Sequence, residues 1–358
     1  MGITKLDMAS GEAAVLGGAV LGGGGGGSIK AGMHNAQVAV DLGTPTLATL
    51  DELAEKDLVI TSSGVGAPAA KEKMVRPVDH IRALELFRQM GGGEIAGIIC
   101  NENGSCSGVN GWIESAASGL PVVDAPANGR AHPTGLMGAM GLNRVKGYLS
   151  RQTAAGGNPE IGRYLEVTAR GSLTHTANMI RKAAVEAGGV VAVMRDPVTA
   201  TYLKENAAVG AMQHAMKIGR EMMAVRDQGA DAIIKAIVES LPGEVVCRGR
   251  IESLNITTQG GYDVGEITVA GDNRMELTFW NEFMTLECQG ERRATFPDLI
   301  TLLSLETGIP ISSAEAGKGQ EVAVLYTPRE NLILGRGVLI PEAIKEAENA
   351  VGKALWQD

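Results

Sequence analysis

Two short polar clusters hold most of the residues in this chain that could do chemistry. The apolar run Ile98-Ile99-Cys100 stops at Asn101-Glu102-Asn103-Gly104-Ser105-Cys106-Ser107-Gly108, and Val122-Val123 stops at Asp124-Ala125-Pro126-Ala127-Asn128-Gly129-Arg130-Ala131-His132-Pro133. A carboxylate following a buried strand, as Glu102 does, suits a metal ligand or a general base of raised pKa; its other reading is a loop carboxylate capping the next helix. Cys106 precedes a predicted helix whose N-terminal dipole would favour a thiolate, fit for a nucleophile or a soft ligand. Asp124 and His132 flank a turn containing Gly129 and could face one cavity. Together Glu102, Cys106, Asp124 and His132 mix hard and soft donors, which suits zinc better than magnesium or calcium. Two mechanisms stay open: a metal-bound water attacks, or Cys106 attacks with His132 as its base. Arg130 is suited to hold a carboxylate or imide oxygen, and a structural ion pair explains it almost as well.

These clusters need a scaffold that presents them side by side. A helix-like segment, Val109 to Ser118, closed by Gly119, lies between them, and the strand Asp57 to Ser62 and helix Val78 to Met90 precede them. The resulting βαβαβ grammar predicts a layered, mostly parallel sheet with its ligand crevice at the carboxyl ends of the strands. Upstream, Met8 to Leu21 is apolar and reads equally as buried helix or strand. Gly22 to Gly27 follow, and Ser28 is a fair N-cap for a helix from Ile29 to Leu42. Gly25, Gly26, Gly27 and Ser28 could therefore cradle a substrate anion, although a tight turn between packed elements explains them as well. A Walker pattern is absent, since Lys30 follows Ile29. Further on, Leu173 to Ala187, Thr199 to Val225 and Asp231 to Leu241 read as helices, with a strand from Gly189 to Met194. His34, His80 and His214 fall on predicted helices and read as solvated or core residues.

From Glu244 to about Tyr326 the pattern changes to period-two alternation broken by turns such as Gly260-Gly261 and Gln289-Gly290. That is the signature of an antiparallel β domain. Pro341 to Trp356 is a last amphipathic helix. The expected architecture is α/β: residues 1–242 form an α/β domain completed by helix 341–356, and residues 243–338 form a β-rich domain inserted before that helix. Asn281, Glu282 and Asp298 of the β domain could close the cleft over a substrate, or simply bond the two domains together.

Composition removes other classes. A net charge of −9 argues against a nucleic-acid partner. No signal peptide or bilayer-length apolar run is visible, and the four cysteines lack paired spacing, so a cytoplasmic protein with free thiols is expected. A homo-oligomer is the expected assembly.

Several features in order resemble the S-methyl-thiohydantoin desulfurase family, whose members are often encoded beside hydantoinases: Leu21 with Gly22 to Ser28, Gly119-Leu120-Pro121-Val122-Val123-Asp124, Gly129-Arg130-Ala131 with Pro133, Asn281-Glu282, and Pro297-Asp298-Leu299-Ile300. The resemblance implies an α/β domain with a β-rich domain and metal-assisted hydrolysis of a five-membered imide or thiohydantoin ring. The alternative is a non-catalytic, small-molecule-binding subunit working beside a hydantoinase partner.

Overall fold

The computed structural model describes residues 2–67 and 70–356. One sheet comprises β1 (Thr4–Lys5), β2 (Thr46–Ala48), β3 (Leu58–Gly66), β4 (Ile95–Cys100), β5 (Val122–Val123), β6 (Ser150–Gly156), β7 (Leu165–Gly171) and β8 (Val190–Thr199). Their spatial order is β1-β2-β5-β4-β3-β8-β6-β7. The centre, β2-β5-β4-β3, is parallel, while β1 at one edge and β8, β6 and β7 at the other run antiparallel. The helices are α1 (Met8–Leu21), α2 (Ile29–Leu42), α3 (Pro77–Gln89), α4 (Trp112–Ser118), α5 (Leu173–Glu186), α6 (Ala200–Asn206), α7 (Ala211–Ala224), α8 (Ala230–Ser240) and α9 (Pro341–Val351). The second sheet is wholly antiparallel. It is formed by β9 (Glu244–Gln259), β10 (Tyr262–Gly271), β11 (Arg274–Trp280), β12 (Glu282–Cys288), β13 (Glu291–Thr295), β14 (Leu299–Ser304), β15 (Pro310–Ile311) and β16 (Glu321–Thr327). The α/β architecture with a β-rich second domain expected from the pattern is thus present.

The ambiguous run Met8–Leu21 is a helix, and its position explains why no amphipathic stripe marks it. With α7 it is sandwiched between the sheets. Ala13, Ala14 and Val15 join Met212, Met216, Trp112 and Val122 on the side of the first sheet. Val20 and Leu21 join Ile218, Met222, Leu299 and Leu325 on the side of the second. A helix buried on all sides is apolar all round. Its glycines permit the approach: a Cβ on Gly17 would fall 1.8 Å from the Ala215 carbonyl oxygen, and one on Gly219 would fall 1.9 Å from that of Ala13. Asp7 caps α1 through the Ser10 amide at 2.8 Å, and Ser28 caps α2 through the Ala31 amide at 3.2 Å, as its position predicts.

Several boundaries differ from the sequence pattern. Strand β6 (Ser-Arg-Gln-Thr-Ala-Ala-Gly) carries no hydrophobic signal, because it is buried with small and polar residues, and its hairpin partner β7 is a half-exposed edge strand. Strand β3 continues through Ser63 to Gly66, where a loop is expected, because β8 pairs with it up to Val190. Strand β8 in turn passes Pro197, which is tolerated at an irregularity where Val59 faces Val198 and Thr61 faces Arg195. The predicted helix Thr199–Val225 is split into α6 and α7, with Gly210 in a left-handed conformation (φ 84°) before α7. Helix α9 does not return to the first sheet. Its Ala343, Ile344 and Ala347 pack with Trp280, Met284 and Phe296 of the β domain, joined by Met137 from the first.

If the α1–α7 crossing sets the layer spacing, Gly219→Ala must force two backbones apart. A loss of about 3 kcal/mol in chemical denaturation is expected. Gly317→Ala, whose Cβ would meet nothing closer than 3.8 Å, should stay within about 0.5 kcal/mol.

Candidate functional site

A cavity of about 650 Å³ opens where the carboxyl ends of β3 and β4 and the loop after β5 meet residues of the β domain. Two loops floor it, and backbone hydrogen bonds zip them to each other and to the glycine run. Ala127 N donates to the Cys100 carbonyl at 3.0 Å and Asn128 N to that of Asn101 at 3.1 Å. The Cys106 and Ser107 amides both donate to the Gly26 carbonyl, at 2.8 and 3.1 Å, and the Ser105 hydroxyl donates to Gly27. From the other domain Phe283 N donates to Gly23 and Ser313 N to Gly24. The glycine run is therefore a junction into which three segments plug. Gly26, Gly27 and Ser28 line the cavity, although their donors and acceptors are partly consumed by this structural role.

The chemistry concentrates on two carboxyls, one from each domain. Glu102 is buried at the cavity wall. It accepts from the His132 amide at 3.0 Å and lies 3.4 Å from His132 Nε2. Burial pushes its pKa up to about 7, against the opposing pull of hydrogen bonds and of Arg195 and Arg130. Glu282 sits directly after Asn281, which turns the chain with φ 58°. Its Oε1 occupies the space above Gly25, where a Cβ would approach to 1.8 Å and displace the carboxyl. Burial, reinforced by the negative charge of Glu102, holds Glu282 well above the ordinary carboxylate range. Its Oε2 has no hydrogen-bond partner among the described residues. Both carboxyls therefore hold their protons to a higher pH than an exposed carboxyl does. His132, buried and facing Arg195, is depressed to about 3 and is neutral.

The other predicted residues separate into those at the cavity and those elsewhere. Cys106 and Asn281 line it. Cys106 is not a thiolate: burial pushes it up to about 11, because only the three-residue turn Ser107–Val109 follows it, not the helix whose dipole was expected to lower it. Its side-chain contact is Asn35 Nδ2 at 3.6 Å, not His132. Asp124 turns away and caps α7, accepting from the Met212 and Gln213 amides at 2.8 and 3.3 Å. Among the described residues no three His, Cys, Asp or Glu side chains are grouped to hold a metal ion. The expected zinc shell of Glu102, Cys106, Asp124 and His132 is not assembled, since α7 claims the Asp124 carboxylate. Arg130 does not line the cavity either. Fully buried, it donates through Nη1 to the carbonyls of Pro297, at 3.1 Å, and Asp298, through Nε to Ala131, and stacks 4.6 Å from the Phe296 ring. It clasps the two domains together. The Asp298 carboxylate is used within the β domain, accepting from the Thr295 amide and from Arg329.

Wall residues absent from the sequence-derived set include Arg195, Lys73 and His80. Arg195 ends the apolar run Val190–Met194 as Glu102 ends Ile98–Cys100, so the rule that marks one marks the other. His80, read as solvated or core, is buried 3.3 Å from Glu114, which also accepts from Ser62 at 2.7 Å. The Glu114 charge holds His80 above its ordinary value, despite burial. No local spacing links residues 80 and 114.

Fold and cleft together define a two-domain α/β protein whose candidate site is a carboxyl-bearing cavity at the domain junction. The chain belongs to the S-Me-THD-like family: residues 12–163 match its N-terminal domain and residues 172–337 its C-terminal domain. No curated protein matches the chain significantly. A crystal structure of a protein from Chromobacterium violaceum, 19 % identical, superimposes with a TM-score of 0.71 over 98 % of this chain and 96 % of that one. At that identity the likeness concerns the fold.

Because Asp124 caps a helix, Asp124→Ala should destabilise the protein by about 1–2 kcal/mol in thermal or chemical unfolding. Ligand affinity at the cavity should not change. A normal stability with loss of binding would return Asp124 to the site.

Proposed function

We propose that the protein is a hydrolase of a five-membered cyclic amide, imide or thiohydantoin ring. The observation that carries this reading is the pair Glu102 and Glu282, one from each domain, both buried at the wall of one cavity and both held by burial above the ordinary carboxylate range. In the ionised form Glu102 takes a proton from water as its oxygen attacks the trigonal ring carbon. Glu282, protonated, gives its proton to the nitrogen or sulfur that leaves as the carbon bond to it breaks. The base must work near its own pKa, which is what burial of Glu102 supplies. Neutral His132, with its amide on Glu102 and its ring beside it, positions that carboxylate. The cavity volume suits a single small ring with a substituent. The family name supports the thiohydantoin end of this substrate range. With Asp124 turned away and Cys106 protonated, the reading places water activation on Glu102 itself.

The test is turnover of hydantoins, thiohydantoins and S-methyl-thiohydantoins by the purified chain, read as ring-opened product, thiol or sulfide. The expected pH profile of kcat/KM rises as Glu102 ionises, with a midpoint near 7. Glu102→Gln should lower kcat by about 10²- to 10⁴-fold and abolish that limb. Activity that appears only after a hydantoinase is added would overturn the reading in favour of a partner subunit.

A further inference from the structure

Among the charged groups of the cavity wall, Arg195 stands apart because nothing in the protein uses it. Arg181 lines the same wall and Arg130 lies behind it, and both donate to backbone carbonyls, although Arg130 Nη2 has no partner among the described residues. Arg181 gives Nη1 to the Gly66 and Gly261 carbonyls and Nη2 to Pro133, and stacks 4.1 Å from the Tyr262 ring. Arg195 is 3 % exposed and lines the cavity, but its Nε has no hydrogen-bond partner among the described residues. The nearest opposite charges are Asp196, whose carboxylate is turned to the Ser150 hydroxyl at 2.6 Å, and Glu102. A buried guanidinium without partners is costly, and proteins rarely retain one unless a ligand completes it.

Its placement is also built. Arg195 ends the regular part of β8, immediately before the irregularity that leaves Asp196 with φ 53°, and such irregularities re-aim side chains beside functional sites. The guanidinium rests over the 134–138 loop. A Cβ on Gly135 would come within 3.0 Å of Nη1 and one on Gly138 within 3.1 Å of Nη2. Those two glycines leave the fork room, and Gly135 is itself at the cavity wall. Lys73 adds positive charge to the same wall. A neutral ring would leave this cation uncompensated, whereas an oxyanion would accept two parallel N–H bonds from the fork.

We propose that Arg195 is the subsite for an anionic substituent, so that the substrate is a five-membered cyclic amide, imide or thiohydantoin bearing a carboxylate or equivalent oxyanion. This deepens the ring-hydrolysis reading and rests on it for the identity of the ring. The test is calorimetric binding to the full chain, using hydantoin-5-acetate and its neutral isostere hydantoin-5-acetamide. The acid should bind about 10- to 100-fold more tightly. Arg195→Gln should remove that preference, and Arg195→Lys, which keeps charge but loses the fork, should restore part of it. Should Arg195→Gln fail to fold, the wild-type preference for the acid and its shrinkage with added salt decide the matter. Equal affinity for acid and amide, binding of neither, or an acid preference that survives Arg195→Gln overturns the proposal. Turnover of neutral rings without acid preference overturns it while leaving ring hydrolysis intact. Acid preference without turnover upholds the anion subsite and overturns ring hydrolysis.

Discussion

The structure hangs on one close contact: helix α1 touches both α7 and the 101–107 loop backbone to backbone. On one side Gly17 and Gly219 bring α1 onto α7. On another, a Cβ at Gly18 would fall 2.3 Å from the Gly104 carbonyl oxygen. Because the helix ends in the glycine run, its position fixes where Gly23 to Gly27 can receive the loop from one domain and the Phe283 and Ser313 amides from the other. A shift of the helix would move both halves of the cavity together. Close packing without side chains gains dispersion contact over the whole length of the crossing and tolerates no added atom.

That geometry is what makes the electrostatics possible. Two buried carboxyls and a buried guanidinium line one cavity, a combination that costs free energy unless the surrounding framework holds it. The framework is the clasp: across the domain junction Arg130 donates to the Pro297 and Asp298 carbonyls and Arg181 to that of Gly261. Carbonyls anchor a guanidinium without neutralising it, so the positive potential of these arginines still reaches the cavity and moderates the rise of the Glu102 and Glu282 pKa values.

The α/β frame was readable because its signals are local. Ile95–Cys100 is a strand in both pattern and structure, Ser28 caps the helix it precedes, and the alternation after Glu244 becomes the antiparallel sheet. Glu102 and Cys106 reach the cavity for a similar reason, since both lie on the loop that follows the apolar strand β4. The fate of Asp124 was not readable, because its carboxylate is claimed by amides 88 and 89 residues further along. Likewise Arg130 is disposed of by carbonyls 167 and 168 residues away. Residue type says what a side chain can do, and distant backbone decides whether it is left free to do it. Strand β6 was hidden for a different reason: its burial is achieved with alanine, glycine, serine, threonine and glutamine, which carry no hydrophobic period.

The path of the chain through the first sheet also constrains how the protein is made. Strand β3 is flanked by β4, which follows it closely, and by β8, which lies in the C-terminal of the two family segments. The parallel centre therefore emerges from the ribosome with one edge of β3 open, and more than a hundred residues must be synthesised before β8 can cover it. An open, largely apolar strand edge is a pairing template for other chains, and non-local closure of this kind is slow. The two family segments are consequently halves of a single folding unit, and an isolated N-terminal segment would expose the edge that β8 exists to close.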